Sequence, residues 1–239
     1  MISTDLLRRL AQFDTPTICN AIELFDVRPR NTGFMDGRIR AAFPDFPPAV
    51  GFACTASFRS DSPPSAGDAY GGFVEQVKLF EGLAGPPMMV FQDLDDPAVG
   101  ATFGEVMCSV YKAFGAAGLI TSGGGRDLLQ VRAMGFPVFT GSAISAHAYC
   151  HLLHLGQPVR VGGLTIRQGD LLHADANGVT SIPLEIAQEV PEAAAALCDA
   201  ERILIGYCRQ DRPTLAGLGQ ARQEFTDAMA RLSRRYRRG

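Results

Sequence analysis

Two short segments carry the residue types that could do chemistry: Gly104-Glu105-Val106-Met107 and, about two dozen residues later, Gly123-Gly124-Gly125-Arg126-Asp127. An arginine guanidinium pairs bidentately with a carboxylate, and an aspartate is a hard oxygen ligand suited to magnesium or manganese. The backbone N–H groups of Val106 and Met107 fall in the first turn of a predicted helix, where they can bind an anion. Together these groups could hold a divalent metal and a small 2-oxo acid.

Each of these residues also has a purely structural interpretation. Asp127 could cap the helix that follows it, Arg126 could pair with a neighbouring carboxylate, and Glu105 could simply stabilise a helix N-terminus. The three glycines before Arg126 favour the functional interpretation, because they would let the backbone approach a ligand closely. They do not form a dinucleotide-binding fingerprint, since Leu128 stands where G-x-G-x-x-G needs its third glycine.

The scarcity of lysine favours one kind of carbonyl chemistry over another. The chain has twenty arginines but only two lysines, Lys78 and Lys112. A Schiff-base mechanism needs a desolvated lysine as nucleophile, and neither lysine is flanked by a cluster that would activate it. The composition therefore favours metal-based activation of a carbonyl.

The periodicity of apolar residues predicts the elements that must position these segments. A helix over 104–115, a strand over 118–121 and a helix over 126–134 would place both segments at the ends of consecutive elements. The other predicted helices start behind Ser3 and behind Thr15 as cap, and span 68–83, 184–209 with a bend at Pro191, and 212–238; the other predicted strands span 51–58, 87–91, 137–139, 159–161, 164–166, 171–174 and 179–182. We expect one α/β domain over 1–210 with mixed sheets, followed by a helical extension with a basic tail over 211–239.

Composition limits the setting in which the protein works. A net charge of -3 gives no global attraction to nucleic acid or to an acidic membrane, so nucleic acid is disfavoured as a partner. The chain shows no signal-peptide core and no apolar run near the roughly 18 residues of a membrane span. The six cysteines are scattered without a C-x-x-C pair, which is typical of reduced thiols. These features predict a cytoplasmic protein without a membrane partner.

Four histidines need an interpretation as well. His147, His151 and His154 would share one face of a helix, and two histidines four apart can share a metal. No acidic base follows in the H-E-x-x-H manner, so substrate contact by His147 or a buried, hydrogen-bonded role is favoured. His173, near Asp175, could carry a proton, but a structural role is favoured.

The basic tail, residues 231–238, has five arginines around Tyr236. Such a tail could touch RNA or acidic lipid. A solvated or partner-docking tail is the favoured interpretation.

The Gly-Glu pair and its spacing to Arg126-Asp127 resemble the RraA-like family. The resemblance extends over roughly residues 4–195 and includes Asp14-Thr15-Pro16-Thr17, the strand at 135–139, and the glycine- and proline-marked segment 158–183. That family contains class II pyruvate aldolases acting on 4-hydroxy-4-methyl-2-oxoglutarate and related acids, and also a regulator of ribonuclease E. Residues 93–101 and 142–156 depart from the family pattern, and these regions are expected to shape the substrate end of the site.

The resemblance implies a fold, an assembly and a set of roles. It implies an α/β/β/α sandwich of the swivelling-domain type, with mixed sheets, assembled as a homotrimer or a dimer of trimers. It also implies that Arg126 binds the pyruvate carboxylate, that Asp127 carries Mg2+ or Mn2+ partly through waters, and that Glu105 orders a metal-bound water. The backbone at Gly104, Val106 and Met107 would contact the 2-oxo acid.

The expected function is a metal-dependent lyase that cleaves a C–C bond in a 4-hydroxy-2-oxo acid and releases pyruvate. The same pyruvate enolate forms when oxaloacetate loses carbon dioxide, so decarboxylase side activity is expected too. One alternative is a non-catalytic regulator of a ribonuclease on the same scaffold. Another is a related metal-assisted reaction on a different hydroxy-oxo acid or sugar acid.

Overall fold

A mixed β-sheet forms the centre of the computed structural model, which describes residues 2–65 and 71–238. The strands are β1 (Arg40–Ala41), β2 (Ala49–Arg59), β3 (Pro87–Asp93), β4 (Ala101–Phe103), β5 (Gly118–Gly125), β6 (Val138–Ala143), β7 (His151–Leu153), β8 (Val159–Val161), β9 (Leu164–Ile166), β10 (Leu171–Asp175) and β11 (Gly178–Ile182). The main sheet has the order β1-β6-β5-β3-β2-β10-β11, with β4 added to β5 and β7 added to β2. The remaining pair, β8 and β9, forms a separate hairpin.

The strands that lead to the candidate site are parallel. β2, β3, β5 and β6 run in one direction, so their carboxyl ends meet at one edge of the sheet. The first half of β5 pairs with β3, and its last residues, Gly124 and Gly125, pair with β4. The segment 33–41 joins the two outer strands, because its first residues hydrogen-bond β11 while Arg40–Ala41 pairs with β6. The sheet is therefore nearly closed.

Helices cover the sheet on two sides. They are α1 (Thr4–Leu10), α2 (Thr15–Glu23), α3 (Phe73–Lys78), α4 (Glu105–Ala113), α5 (Leu128–Ala133), α6 (Val190–Cys208) and α7 (Leu215–Tyr236), with a 3-10 turn at Leu79–Gly82. Along β3 the side chains alternate: Met89 and Phe91 pack under the α3–α5 layer, while Met88 and Val90 point into the sheet interior. A third apolar cluster lies under α1, α2 and α6. The predicted α/β/β/α arrangement is confirmed.

The start of α2 corrects one predicted cap. Asp14, not Thr15, is the N-cap, and its side chain accepts a hydrogen bond from the Thr17 N–H at 2.8 Å. The Thr15 hydroxyl instead lies 2.9 Å from His173 Nδ1, and the Thr15 N–H donates to Asp175 Oδ2 at 2.8 Å. His173 is fully buried between β10 and the first two helices, and burial lowers its pKa. Its contacts are those of the structural role that the sequence favoured.

Three other predicted helices differ from the structure. The helix expected from residue 184 begins at Val190, because Pro191 lies in its first turn, where proline starts a helix without bending it. The helix expected from Arg126 begins at Leu128. Of the helix expected over 68–83, the structure shows α3 and the 3-10 turn, while the part at 68–70 lies outside the described residues.

The prediction that His147, His151 and His154 share one face of a helix is wrong. His147 lies in a loop, His151 belongs to β7, and His154 follows with a left-handed φ of 47°. β7 pairs with the end of β2, so the chain is extended where a helix would have aligned the three rings.

The basic tail is held by acidic residues of the same chain. α7 packs along α6, and the buried Tyr236 ring lies 5.2 Å from the ring of Phe25. The ion pairs are Arg235–Glu192, Arg237–Asp26 and Arg238–Glu189. Three of the five tail arginines thus have acidic partners in the same chain. The division of the chain into a domain over 1–210 and an extension over 211–239 stays a prediction. No helix within residues 2–65 or 71–238 is long and apolar enough to cross a membrane.

Candidate functional site

The two predicted segments meet at the corner where β5 turns into α5. The Arg126 N–H donates to the Phe103 carbonyl at 3.1 Å, which ties the corner to β4. Asp127 Oδ2 accepts a hydrogen bond from the Glu105 N–H at 3.0 Å, and Arg126 Nε lies 3.8 Å from the same oxygen. A guanidinium, a carboxylate and a helix N-terminus are therefore in contact at one place.

Asp127 reaches α4 because of its backbone conformation. Its φ of 55° and ψ of 36° are left-handed, and only four non-glycine residues in the described ranges have positive φ. Such strained residues cluster at functional sites. Although Asp127 is the N-cap residue of α5, its side chain makes no capping bond there. The structural interpretation that it caps its own helix is wrong, since the carboxylate caps α4.

The start of α4 leaves backbone donors next to this carboxylate. The first helical hydrogen bond runs from the Cys108 N–H to the Gly104 carbonyl. The N–H groups of Val106 and Met107 are thus among the donors that a helix start leaves without intrahelical acceptors. The Met107 side chain is buried beneath the helix, so only its backbone can face a ligand. The Glu105 side chain is exposed beside it.

Gly104 leaves space for the Asp127 and Arg126 side chains. A Cβ at this position would lie 2.7 Å from Asp127 Oδ2 and 3.1 Å from Arg126 Nε. Its φ of −156° is ordinary extended backbone, so space and not conformation selects glycine here. Gly104 therefore permits the close approach of Asp127 to α4.

The glycine run 123–125 does not form the open loop that the sequence suggested. All three residues are buried within β5. A Cβ on Gly125 would overlap the Phe103 ring, and one on Gly124 would lie 2.7 Å from Ile144 Cγ1. The run lets the protein's own side chains close over the strand, so the expected approach of this backbone to a ligand is not what the structure shows.

Threonine hydroxyls support β5 just before Arg126. The register of β5 against β6 shifts between Thr121 and Gly124. There the Gly123 N–H donates to Thr121 Oγ1 at 3.0 Å, and Thr140 Oγ1 donates to the Gly123 carbonyl at 2.7 Å. Thr102 Oγ1 donates to the Gly124 carbonyl at 3.0 Å. Irregularities of this kind re-aim side chains near functional sites. The sequence analysis did not predict a role for these threonines. Their position on strands next to a glycine run could have indicated one.

The site is partly shielded from water. The side chains of Arg126 and Asp127 are 31% and 36% exposed, which strengthens charge interactions relative to a fully solvated pair. Burial and, to a smaller extent, the Asp127 charge raise the pKa of the Cys108 thiol of α4 to about 12. This thiol is therefore protonated near neutral pH.

The donor set suits a hard divalent cation. Asp127 and Glu105 offer carboxylate oxygens, and magnesium typically binds one or two protein carboxylates while keeping several waters. Within residues 2–65 and 71–238, no three His, Cys, Asp or Glu side chains form a ready metal cluster. These two carboxylates are the side chains at the corner that could hold such a cation.

His147 lies on the loop that precedes β7. Its ring Nδ1 is 2.7 Å from the Ala148 carbonyl, and its own carbonyl faces Gly100. The ring is thus held by its own loop. Its contact with a substrate stays a prediction.

Comparisons with known proteins identify the family and the fold. The sequence model of the RraA-like family, described as Aldolase/RraA, matches residues 15–180. A protein of Halalkalibacterium halodurans (strain ATCC BAA-125 / DSM 18197 / FERM 7344 / JCM 9153 / C-125), named "Putative 4-hydroxy-4-methyl-2-oxoglutarate aldolase", is 34% identical over 101 residues. The match covers 42% of this chain and 48% of that protein, so the chain spans about half the length of this relative.

Two solved structures share the fold. An uncharacterized protein from Pseudomonas syringae pv. tomato str. DC3000 superposes with a TM-score of 0.72 at 22% identity, over 93% of this chain and 94% of that one. Streptomyces coelicolor RraAS2, described as an unusual member of the RNase ES inhibitor RraA protein family, superposes with a TM-score of 0.66 at 22% identity. That match covers 84% of this chain and 97% of the other. At this identity the likeness establishes the fold alone.

Proposed function

The chain belongs to the RraA-like family, and we propose that it is a divalent-metal-dependent lyase that cleaves a 4-hydroxy-2-oxo acid to release pyruvate. One observation carries the proposal: Asp127 Oδ2 accepts the Glu105 N–H at 3.0 Å while the Arg126 guanidinium lies beside it. This corner combines a guanidinium that can bind a substrate carboxylate, carboxylate oxygens that can bind a metal, and backbone N–H groups at the start of α4.

Substrate binding uses the cationic half of the corner. Arg126 pairs with the C1 carboxylate of the 2-oxo acid through its planar fork. The N–H groups of Val106 and Met107 donate to the oxygens of the same acid, aided by the positive end of the α4 dipole. Because the corner is partly shielded, the carboxylate exchanges water for charged partners there.

The acidic half would hold the metal. Asp127 would be the ligand, Glu105 would order water nearby, and Mg2+ or Mn2+ would fit these oxygen donors. A bound cation of this kind supplies Lewis-acid stabilisation of the charge on the 2-oxo oxygen.

The 2-keto group accepts the electron pair that is released when the C3–C4 bond breaks. The Glu105 carboxylate, acting through an ordered water, takes the proton from the C4 hydroxyl. The C4–O bond becomes a carbonyl as the C3–C4 bond breaks, the electron pair of that bond forms the C2–C3 enolate, and the C4 carbonyl fragment leaves. The amides at the start of α4 stabilise the negative charge that develops on the C2 oxygen. The same water returns the proton from Glu105 to C3, and pyruvate is released. Oxaloacetate reaches the same enolate by losing carbon dioxide, so decarboxylation accompanies the aldol reaction.

A second candidate is a regulator of a ribonuclease on the same scaffold. Its support is the fold likeness to the protein described as a member of the RNase ES inhibitor family, with a TM-score of 0.66. Fold alone does not fix function, and the Arg126–Asp127–Glu105 corner favours turnover. We also expect a homotrimer or a dimer of trimers, which sedimentation equilibrium would test.

The test is pyruvate release from oxaloacetate and from 4-hydroxy-4-methyl-2-oxoglutarate, with magnesium, with manganese and with chelator. The proposal expects metal-dependent release, and the ratio of the two rates identifies the preferred substrate. A matched control is Arg132→Lys, since Arg132 forms an exposed ion pair with Asp45. Folded, metal-supplemented protein that releases no pyruvate from either acid would contradict the proposal and favour the regulator.

A further inference from the structure

Asp93 is a second aspartate at the carboxyl edge of the parallel strands. It ends β3, and its N–H donates to Ser122 Oγ of β5 at 2.9 Å. Its Oδ1 accepts a hydrogen bond from the Asp95 N–H at 3.0 Å. Its Oδ2 is buried and has no hydrogen-bond partner within the described part of the chain. A buried, unpartnered carboxyl oxygen is costly and calls for an explanation.

The unpartnered oxygen lies against Gly123. A Cβ on Gly123 would overlap Asp93 Oδ2 and would lie 2.6 Å from Thr102 Cγ2. Asp93 therefore fills the space that the glycine leaves open. This contact lies at the irregularity of β5, where the register against β6 shifts between Thr121 and Gly124.

The irregularity leads directly to the candidate site. Gly123 is followed by two more buried glycines and then by Arg126, whose N–H is fixed to the Phe103 carbonyl. Both backbone polar groups of Gly123 are bonded to threonine hydroxyls, those of Thr121 and Thr140. A movement of Gly123 would break these bonds or pass along β5 to Arg126.

We propose that Asp93 is a positioning residue for Arg126: its neutral carboxyl group, seated on Gly123, holds β5 in the form that binds a 2-oxo acid. Loss of its proton places a charge where the oxygen has no donor, so the carboxylate must draw in water or move away from Gly123. Either change shifts β5 and weakens oxo-acid binding. The inference rests on the proposed role of Arg126.

The surroundings of Asp93 support this titration. The pKa of Asp93 is raised to about 6, mainly by burial, with an opposing contribution from the Asp95 N–H and a smaller upward one from the Asp95 carboxylate. Asp95 Oδ1 lies 3.7 Å from Arg59 Nε, and Asp95 Oδ2 accepts a hydrogen bond from the Ser60 N–H. The groups that face Asp93 from β4 and β5, namely Thr102, Ser122 and Gly123, are uncharged.

The test is calorimetric binding of oxalate, a stable analogue of pyruvate enolate, with Mn2+ between pH 5 and 7.5. The variants are Asp93→Asn, which keeps the shape of the neutral form, and, as matched control, Asp45→Asn, which changes an exposed carboxylate paired with Arg132. If only the neutral form binds, wild-type affinity relative to Asp93→Asn falls by up to about tenfold from pH 5 to pH 7. Asp45→Asn should follow the wild type. In turnover, the difference should appear in KM for oxaloacetate more than in kcat.

A second variant guards against a folding defect in Asp93→Asn. Thr140→Val removes the hydroxyl bond to the Gly123 carbonyl from the opposite strand, and it should weaken oxalate binding at every pH without changing the pH dependence. Wild-type binding with the same pH dependence in Asp93→Asn would overturn this inference and leave the proposed function intact. No oxalate binding by metal-supplemented wild type at any pH would instead contradict the proposed function, and this role with it.

Discussion

Asp127 and Asp93 lie at the same edge of the sheet, after neighbouring strands, and differ in almost every physical respect. Asp127 has a left-handed backbone, caps α4 and lies beside Arg126, partly exposed. In Asp93, Oδ1 accepts a hydrogen bond from the Asp95 N–H, and Oδ2 is buried without a partner among the described residues. The pKa of Asp93 is raised to about 6, mainly by burial. The same residue type thus lies beside a guanidinium and a helix start at one strand end, and packs one buried, unpartnered oxygen against a glycine at the next. The two carboxyl groups therefore have different surroundings.

Replacing Asp127 should have the largest effect. Asp127→Asn removes the charge that holds the metal while keeping the hydrogen bond to the Glu105 N–H. We expect pyruvate release to fall by at least about a hundredfold, measured as kcat/KM with saturating metal. Asp45→Asn, which changes an exposed aspartate paired with Arg132, is the control. An unchanged rate for Asp127→Asn would remove the distinction between the two aspartates.

Arg126→Lys should come next. A lysine keeps the charge but loses the planar fork that binds a carboxylate through two bonds. We expect KM for oxaloacetate to rise by roughly ten- to a hundredfold with a smaller change in kcat. Steady-state kinetics measures both values. A KM equal to that of the wild type would mean that the substrate carboxylate binds elsewhere.

Gly104→Ala tests whether the approach of Asp127 to α4 matters. The new Cβ would lie 2.7 Å from Asp127 Oδ2, so the carboxylate must move. We expect activity to fall about tenfold or more while the fold persists. Gly206→Ala in α6, where a Cβ meets no atom within 4 Å, should leave activity unchanged. Equal activity of the two variants would contradict the role of this contact.

Asp93→Asn should give the smallest effect, and one with a pH-dependent sign. The native pKa of about 6 is above the unfolded value, so this group's contribution to stability is fully present below about pH 4 and is lost as pH rises through 6. At pH 7.5 the variant should therefore be more stable than the wild type by about 1 kcal/mol after allowance for partial solvation, with no such gain at pH 4. Urea unfolding at both pH values measures the difference. A gain of the same size at both would mean that Asp93 is not the titrating group.

Local signals predicted some of this site and missed the rest. A helix start at Gly104 and an Arg-Asp pair after the next strand are local patterns, so their proximity could be predicted, whereas the fold itself came from the family resemblance. The left-handed Asp127 could not be predicted, since the capping partner lies across the chain in α4. The row of His147, His151 and His154 misled because β7 is extended by its pairing with distant β2. The burial of Asp93 likewise depends on the point where β4 replaces β3 beside β5.

The most direct test of the central claim is pyruvate formation from 4-hydroxy-4-methyl-2-oxoglutarate with Mg2+, measured for wild type, Asp127→Asn and Asp93→Asn at pH 5.5 and pH 7.5. We predict that Asp127→Asn is inactive at both values, while Asp93→Asn matches the wild type at pH 5.5 and exceeds it in kcat/KM at pH 7.5. Metal-dependent activity that survives in Asp127→Asn would contradict the assignment of this corner as the lyase site.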